Sequence, residues 1–461
     1  MSPPTALRAL ADVARAIQSG ETTAEAVTEG CLTAIRARDG AINAFITVLA
    51  DQALQAARMA DREIAAGRYR GPLHGVPISL KDILDLEGVP TTAASRVRRG
   101  HVASRDAIVV RRLREAGAVF VGKTNLHEFA LGTTNEDSAY GPVRHPLDST
   151  RSPGGSSGGS AASVLTGMAC ASIGTDTGGS IRIPSAVCGL VGLKPAFREV
   201  PTQGVVPLSS SLDHVGPLCV SVADAAIIFG VIADPTPGAV ALRAAMPPSG
   251  LRGLRLGVPR QYFMDLLDDE VARAFHACCV RLIDQGVRLD DVVIPHAAEI
   301  AAVYLHVALP EAAAFHAKTL EAQSEDYTPN VRVRLEAGRY ILAEDYVRAL
   351  EGREVLRREV AAALQGRDGL LLPTVPVPAT PLGAATMRVG TIDEPVRTLT
   401  LRLTQLFNIT GHPAITVPCG ATGTGLPIGA QLAGSDTAAL LQLATALEPH
   451  IRGTSPTRST A

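Results

Sequence analysis

The chain has 461 residues, 46% of them hydrophobic and 19% charged, with a formal net charge of -2, which describes a globular protein with ample material for a large core. So even a balance gives no electrostatic footprint for nucleic acid or an anionic membrane surface, and a small or neutral substrate suits it better. The start, Met1-Ser2-Pro3-Pro4-Thr5-Ala6, has no basic region leading into an apolar run, and the longest obvious apolar run, residues 225–233, falls far short of a membrane span of roughly 20 residues, so a cytoplasmic protein is expected.

Taken in order, Thr22 and Glu25 have the spacing of a capping box. Val27, Cys31 and Ile35 then recur at helical period, which predicts a helix to about Arg38. Residues 44–49 read as a short strand, and Leu54, Ala57, Ala60 and Ile64 as the face of a second helix. The run 71–83 is strand-like and sets Lys81 among apolar neighbours. Burial there would disfavour the ammonium and leave an amine able to act as a base, while Asp82 would oppose this if its carboxylate lay close.

Residues 106–117 read as a helix feeding a strand at 118–122, a unit typical of α/β layering. An irregular connection, 123–148, carries His127 and Glu128 without metalloprotease spacing, so a hydrogen-bonded structural role is expected for both. Residues 200–221 are polar and glycine-rich. Strands are predicted at 253–257 and 287–294 around a helix at 270–286, helices over most of 297–353, and a buried strand ending at Leu370-Leu371-Leu372. A strand pair, 414–419 and 428–432, and a helix at 437–447 close the chain ahead of a tail expected to be disordered. The seven cysteines are scattered without CxxC spacing, suggesting neither disulfides nor zinc. Cys170, Cys188, Cys219 and Cys419 read as buried thiols.

The chemistry concentrates in residues 153–195, where Gly154-Gly155-Ser156-Ser157-Gly158-Gly159 and Thr177-Gly178-Gly179-Ser180 flank a small-residue apolar segment. Glycine pairs let a backbone approach a ligand and turn its N–H groups to one point. A flexible linker would share the composition, but the first run leads straight into Ala161-Ala162-Ser163-Val164-Leu165, an apolar helix start. Three chemistries fit glycine-serine loops. A G-x-S-x-G nucleophile elbow needs a preceding strand and a histidine partner, and neither stands out. A phosphate-cradling module, the basis for a non-catalytic anion-binding or scaffold protein, lacks GxxxxGK[ST]. A serine hydrolase whose base is a neutral lysine uses all the unusual stretches at once: a serine of the glycine loops as nucleophile, Lys81 as base, and the N–H groups of 177–180 as oxyanion donors.

The same residues resemble the amidase signature family. The match is nearly continuous over 154–195 and extends to GVPISLKD (75–82), TNLHEFALGTTNE (124–136), YGPVRHP (140–146), NITGHPAITVP (408–418) and GLPIGAQL (425–432). The resemblance implies an α/β amidase signature fold, a large mixed twisted β-sheet covered by helices on both faces. It implies a single domain over 1–461, with a signature core at about 71–220 and a variable helical, substrate-side segment at about 298–350.

It also implies a triad of Ser180 (nucleophile), Ser156 (after a non-proline cis peptide) and Lys81 (base), an oxyanion hole at Thr177, Gly178 and Gly179, and supporting roles for Ser157, Asp176 and Arg182. The implied activity is hydrolysis of a small-molecule amide through an acyl-enzyme, with carbamates (urethanes) or esters open to the same machinery, by a monomer or homodimer without metal or cofactor. Substrate choice is expected at Phe129, Leu131, Gly132, Thr133 and Tyr140 and in the 298–350 segment. The alternative within the family is the A subunit of a glutamyl/aspartyl-tRNA amidotransferase, but residues 303–318 lack the Asn-Leu-x-Arg-x-Asp-Gly pattern expected there. Two positions depart from the family pattern. Ala196-Phe197-Arg198-Glu199 stands where Thr-x-Gly-Arg is usual, and His412 where an apolar residue is common.

Overall fold

Alternation along the strands builds a core on each side of a central sheet. Leu371 belongs to one buried cluster and its neighbours Leu370 and Leu372 to another, and Leu432 and Ala433 divide in the same way, because successive strand side chains point to opposite faces. The computed structural model describes residues 9–234 and 250–453. Its strands in chain order are β1 Phe45–Val48, β2 Pro77–Lys81, β3 Val119–Thr124, β4 Ala171–Asp176, β5 Val191–Lys194, β6 His214–Cys219, β7 Arg255–Pro259, β8 Arg288–Val292, β9 Gly369–Pro373, β10 Thr386–Val389, β11 Ile392–Pro395, β12 Ala414–Ala421 and β13 Pro427–Ala433.

All but β10 and β11 form one 11-stranded sheet in the order β1-β3-β2-β4-β6-β5-β12-β13-β9-β7-β8. The sheet is mixed. β3, β2 and β4 run parallel near one end and β9, β7 and β8 parallel at the other, with antiparallel pairings between. The fold is therefore the expected α/β arrangement with flanking helices. Among these, Thr437–Arg452 and Asp269–Asp284 pack on β12, and Arg182–Val187 packs on β13 and β5.

Several sequence expectations shift. The helix Ala24–Ile42 is capped by Thr23, whose side chain accepts from the Ala26 N–H. The predicted box at Thr22 is therefore not used, since the Asp61 carboxylate takes the Ala24 and Glu25 N–H groups. A reciprocal capping box forms instead at Ser221 and Asp224, heading the helix Val222–Ile232. The polar passage 200–221 contains β6, buried throughout. The hairpin β10–β11 was not foreseen, and the final helix continues past Leu447 to Arg452. The rest of the tail, like Met1 to Ala6, lies outside the described residues. Cys170, Cys188, Cys219 and Cys419 are buried, as expected.

Residues 225–233 are not the longest apolar stretch. The helical run Ala297–Asp326 is long and apolar enough to cross a membrane by length and composition. In this fold it packs on neighbouring helices, with Val303, Tyr304, Val307, Ala308 and Ala312 buried.

Candidate active site

Lys81 ends β2, and strand pairing carries it into the interior beside Thr124 of β3 and next to β4. Its side chain has no solvent exposure. Nζ donates to Ser156 Oγ at 2.8 Å and to Thr175 Oγ1 at 2.9 Å. Burial pulls the ammonium from 10.5 down to about 7, against the opposing charges of Asp176 and Asp213. Asp82 does not compensate. Its carboxylate pairs with the buried Lys123 at 2.9 Å and accepts from the Thr92 N–H and hydroxyl.

Ser156 follows a cis peptide bond with Gly155. The peptide is held from several sides. His127 N–H donates to the Ser156 carbonyl at 3.1 Å, and a Cβ on Gly155 would meet Asn135 N at 2.8 Å and Thr133 C at 2.9 Å. The next residues turn into the helix Gly158–Leu165, whose free N–H groups at Gly158 and Gly159 are taken by Asn135 Oδ1. Ser157 N–H donates to the Ser180 carbonyl at 3.3 Å and its hydroxyl to the Thr175 carbonyl at 3.3 Å, tying the two glycine-serine loops together.

The second loop leaves β4 directly. Its carbonyls are occupied: Thr404 Oγ1 donates to Gly178 O at 2.6 Å, and Ile183 N–H to Gly179 O at 2.7 Å. Among the described residues no protein acceptor takes the N–H groups of Gly178, Gly179 or Ser180. Glycine is required at both positions. A Cβ on Gly178 would lie 2.6 Å from the Tyr304 hydroxyl, and Gly179 has φ 139° with Thr404 pressed against it. Thr177 is fixed by its hydroxyl on Asp213 Oδ1 at 2.6 Å. Burial raises the Asp213 carboxyl to about 6, opposed by hydrogen bonds from Thr177 and the N–H groups of Leu208 and Ser209.

Beneath the loop, Asp176 and Arg182 form a fully buried pair. Arg182 Nε and Nη2 each reach an Asp176 oxygen at 3.0 Å. Burial alone would raise the Asp176 carboxyl, but Arg182, Lys194 and Asn408 outweigh it and hold it well below the carboxylate range. The remaining guanidinium protons go to Thr404 O, Gln431 Oε1 and Asn408 Oδ1. A buried pair of charges is tolerated when every donor and acceptor is met in this way.

The amidase family profile matches residues 26–438, which takes in every group described above. The chain belongs to the amidase family. Members of this family hydrolyse C–N bonds. The amidase-family chain is 43% identical to a protein named amidase from Pseudomonas putida, over 90% of each chain. It is 38% identical to the A subunit of a glutamyl-tRNA(Gln) amidotransferase from Acidobacterium capsulatum, over 94% of this chain and 97% of that one. A crystal structure of an amidase superposes with a TM-score of 0.89 at 37% identity, covering 96% of this chain and 99% of the other.

A cavity of about 370 Å³ opens beside the Thr177 to Ser180 loop of this amidase-family chain, with Tyr304 both lining it and abutting Gly178. Its wall includes Ala298, Ala301 and Leu305 from the expected 298–350 segment. It also includes Tyr262 and the stretch Arg397 to Gln405, which carried no signal in the sequence. Of the residues expected to shape the pocket, Phe129 is buried against His316 and Tyr327. Leu131 is buried and offers its carbonyl to Arg334 and Arg397. Gly132 packs on the His127 ring, Thr133 supports Gly155, and Tyr140 is exposed with its carbonyl bonded by Asn43. His127 Nε2 lies 3.1 Å from Asp137 Oδ2, and Glu128 Oε2 accepts from the Thr328 N–H. Thr175, Asn408, Thr404 and Lys123 had not been singled out.

Proposed function

We infer that this amidase-family chain is a stand-alone amidase that cleaves small-molecule amides through an acyl-enzyme on Ser180. The observation that carries the reading is the contact of Lys81 Nζ with Ser156 Oγ in a fully buried setting that depresses the lysine to about 7. With Lys81 neutral, the Ser156 hydroxyl donates to the Nζ lone pair. Ser180 Oγ then attacks the carbonyl as its proton passes to Ser156 and the Ser156 proton to Lys81. The N–H groups of Thr177, Gly178 and Gly179, with that of Ser180, none of them taken by a protein acceptor among the described residues, supply donors for the tetrahedral oxyanion. The relay returns a proton to the departing amine, and water, activated in the same way, releases the acid. Thr177 and Asp176–Arg182 position the loop. Carbamates and esters present the same carbonyl chemistry, and the proposal extends to them. We take residues 1–461 as one domain, a monomer or homodimer, acting in the cytoplasm.

The second reading, an amidotransferase A subunit, is favoured by the relatives of that name at 38% identity. Testing purified protein against aryl and alkyl amides, carbamates, esters and free glutamine decides between them. Turnover of simple amides with glutamine untouched is expected. Hydrolysis confined to glutamine would revive the second reading, and no turnover of any compound would favour the anion-binding or scaffold role.

A further inference from the structure

Two arginines in the wall of the cavity beside Gly178 lack a counter-ion. Arg334 Nη1 and Arg397 Nη1 both point to the carbonyl of Leu131, at 3.1 and 3.5 Å. Among the described residues neither forms an ion pair. The acid nearest in its influence on Arg334 is Asp137, which is engaged by His127 at 3.1 Å and by Asn330 at 3.1 Å. Among the described residues no Asp or Glu lines the cavity, and a further arginine there, Arg402, is occupied by the ring and carbonyl of Tyr262. Burial and the like charge of Arg334 both act against the Arg397 cation. Arg182 shows the contrast, with a fully buried guanidinium matched by Asp176 and three further acceptors.

Two like charges converging on one carbonyl, in a partly buried cavity that offers no carboxylate of its own, repel each other unless an anion enters. A guanidinium presents a planar fork that suits a carboxylate. Tyr304 joins this wall to the oxyanion loop. A carboxylate held there would belong to the same molecule as a carbonyl held at Ser180.

We propose that Arg334 and Arg397 form a carboxylate subsite, so that the preferred substrates are amides or carbamates bearing a second, anionic group. This rests on the hydrolase reading above. The test compares kcat/KM for succinamate, glutaramate and adipamate with butyramide, valeramide and hexanamide, neutral amides of the same chain lengths. At least one half-amide should exceed its neutral counterpart by about tenfold or more, the scale of charge-assisted hydrogen bonds. That ratio should fall to about one in Arg397→Met and in Arg334→Met, and Arg397→Lys, which keeps the charge, should retain most of it. Equal rates in every pair, or a preference that survives both methionine variants, would overturn the subsite.

Calorimetric titration of Ser180→Ala with the same six compounds reads binding without turnover. Tighter binding of a half-amide with no turnover of any amide by the wild-type protein would remove the hydrolase reading and leave the subsite standing. Equal binding of half-amides and neutral amides would overturn the subsite even if amides are hydrolysed.

Discussion

Asp82 follows Lys81 in sequence, yet its carboxylate is 2.9 Å from Lys123 Nζ on the neighbouring strand, and both groups have no solvent exposure. The charge that would hold Lys81 as an ammonium is thus spent elsewhere. Lys123→Met should leave a buried carboxylate with too few partners and cost about 3–5 kcal/mol. Denaturant unfolding measures the loss, and Asp82→Asn combined with Lys123→Met should recover part of it.

The depressed Lys81 sets the pH dependence. In the proposed mechanism the neutral amine is the working form, and below about 7 each unit of pH removes about nine-tenths of it. The rate kcat/KM should therefore climb about tenfold per unit up to about pH 7 and level off above. Asp213 raises the Lys81 value by its charge, so Asp213→Asn should move the rising limb to lower pH. A limb centred near the ordinary lysine value of 10.5 would contradict the assignment.

Gly179 has no room for a side chain, with Ile183 Cδ1 2.7 Å from where a Cβ would sit and Thr404 in contact. Gly179→Ala should displace the loop and lower kcat on the order of 100-fold, the cost of losing one oxyanion donor. Circular dichroism should stay that of the parent, since the strain is confined to one turn.

Arg198 has φ 67° at the position where the family pattern has glycine. A side chain in that region costs roughly 1–2 kcal/mol. Arg198→Gly should raise the unfolding free energy by about 1 kcal/mol, somewhat less than the strain because the Arg198 contact with the Phe197 ring at 5.1 Å is lost. Equilibrium unfolding checks the sign.

The triad candidates were legible because their signals are local: glycine pairs around serines, and a lysine inside an apolar strand. The groups that complete the site were not. Thr175 is one more small residue on a buried strand, and its bond to Lys81 depends on β2 and β4 pairing. Asn408 and Gln431 reach Arg182 from more than two hundred residues away. Arg334 and Arg397 carried no signal in the sequence, and only packing brings them to one cavity. β6 was hidden because Gly216 and Pro217 give it the composition of a loop, although β4 and β5 pair with it on both sides.

The most direct measurement is peptide-level mass spectrometry of the protein after reaction with a slow aryl carbamate. The account predicts one carbamoyl group on the peptide carrying Ser180 and none in Ser180→Ala, which should also lose amide hydrolysis. A modification mapped to Ser156 or elsewhere, or wild-type hydrolysis by Ser180→Ala, would contradict it.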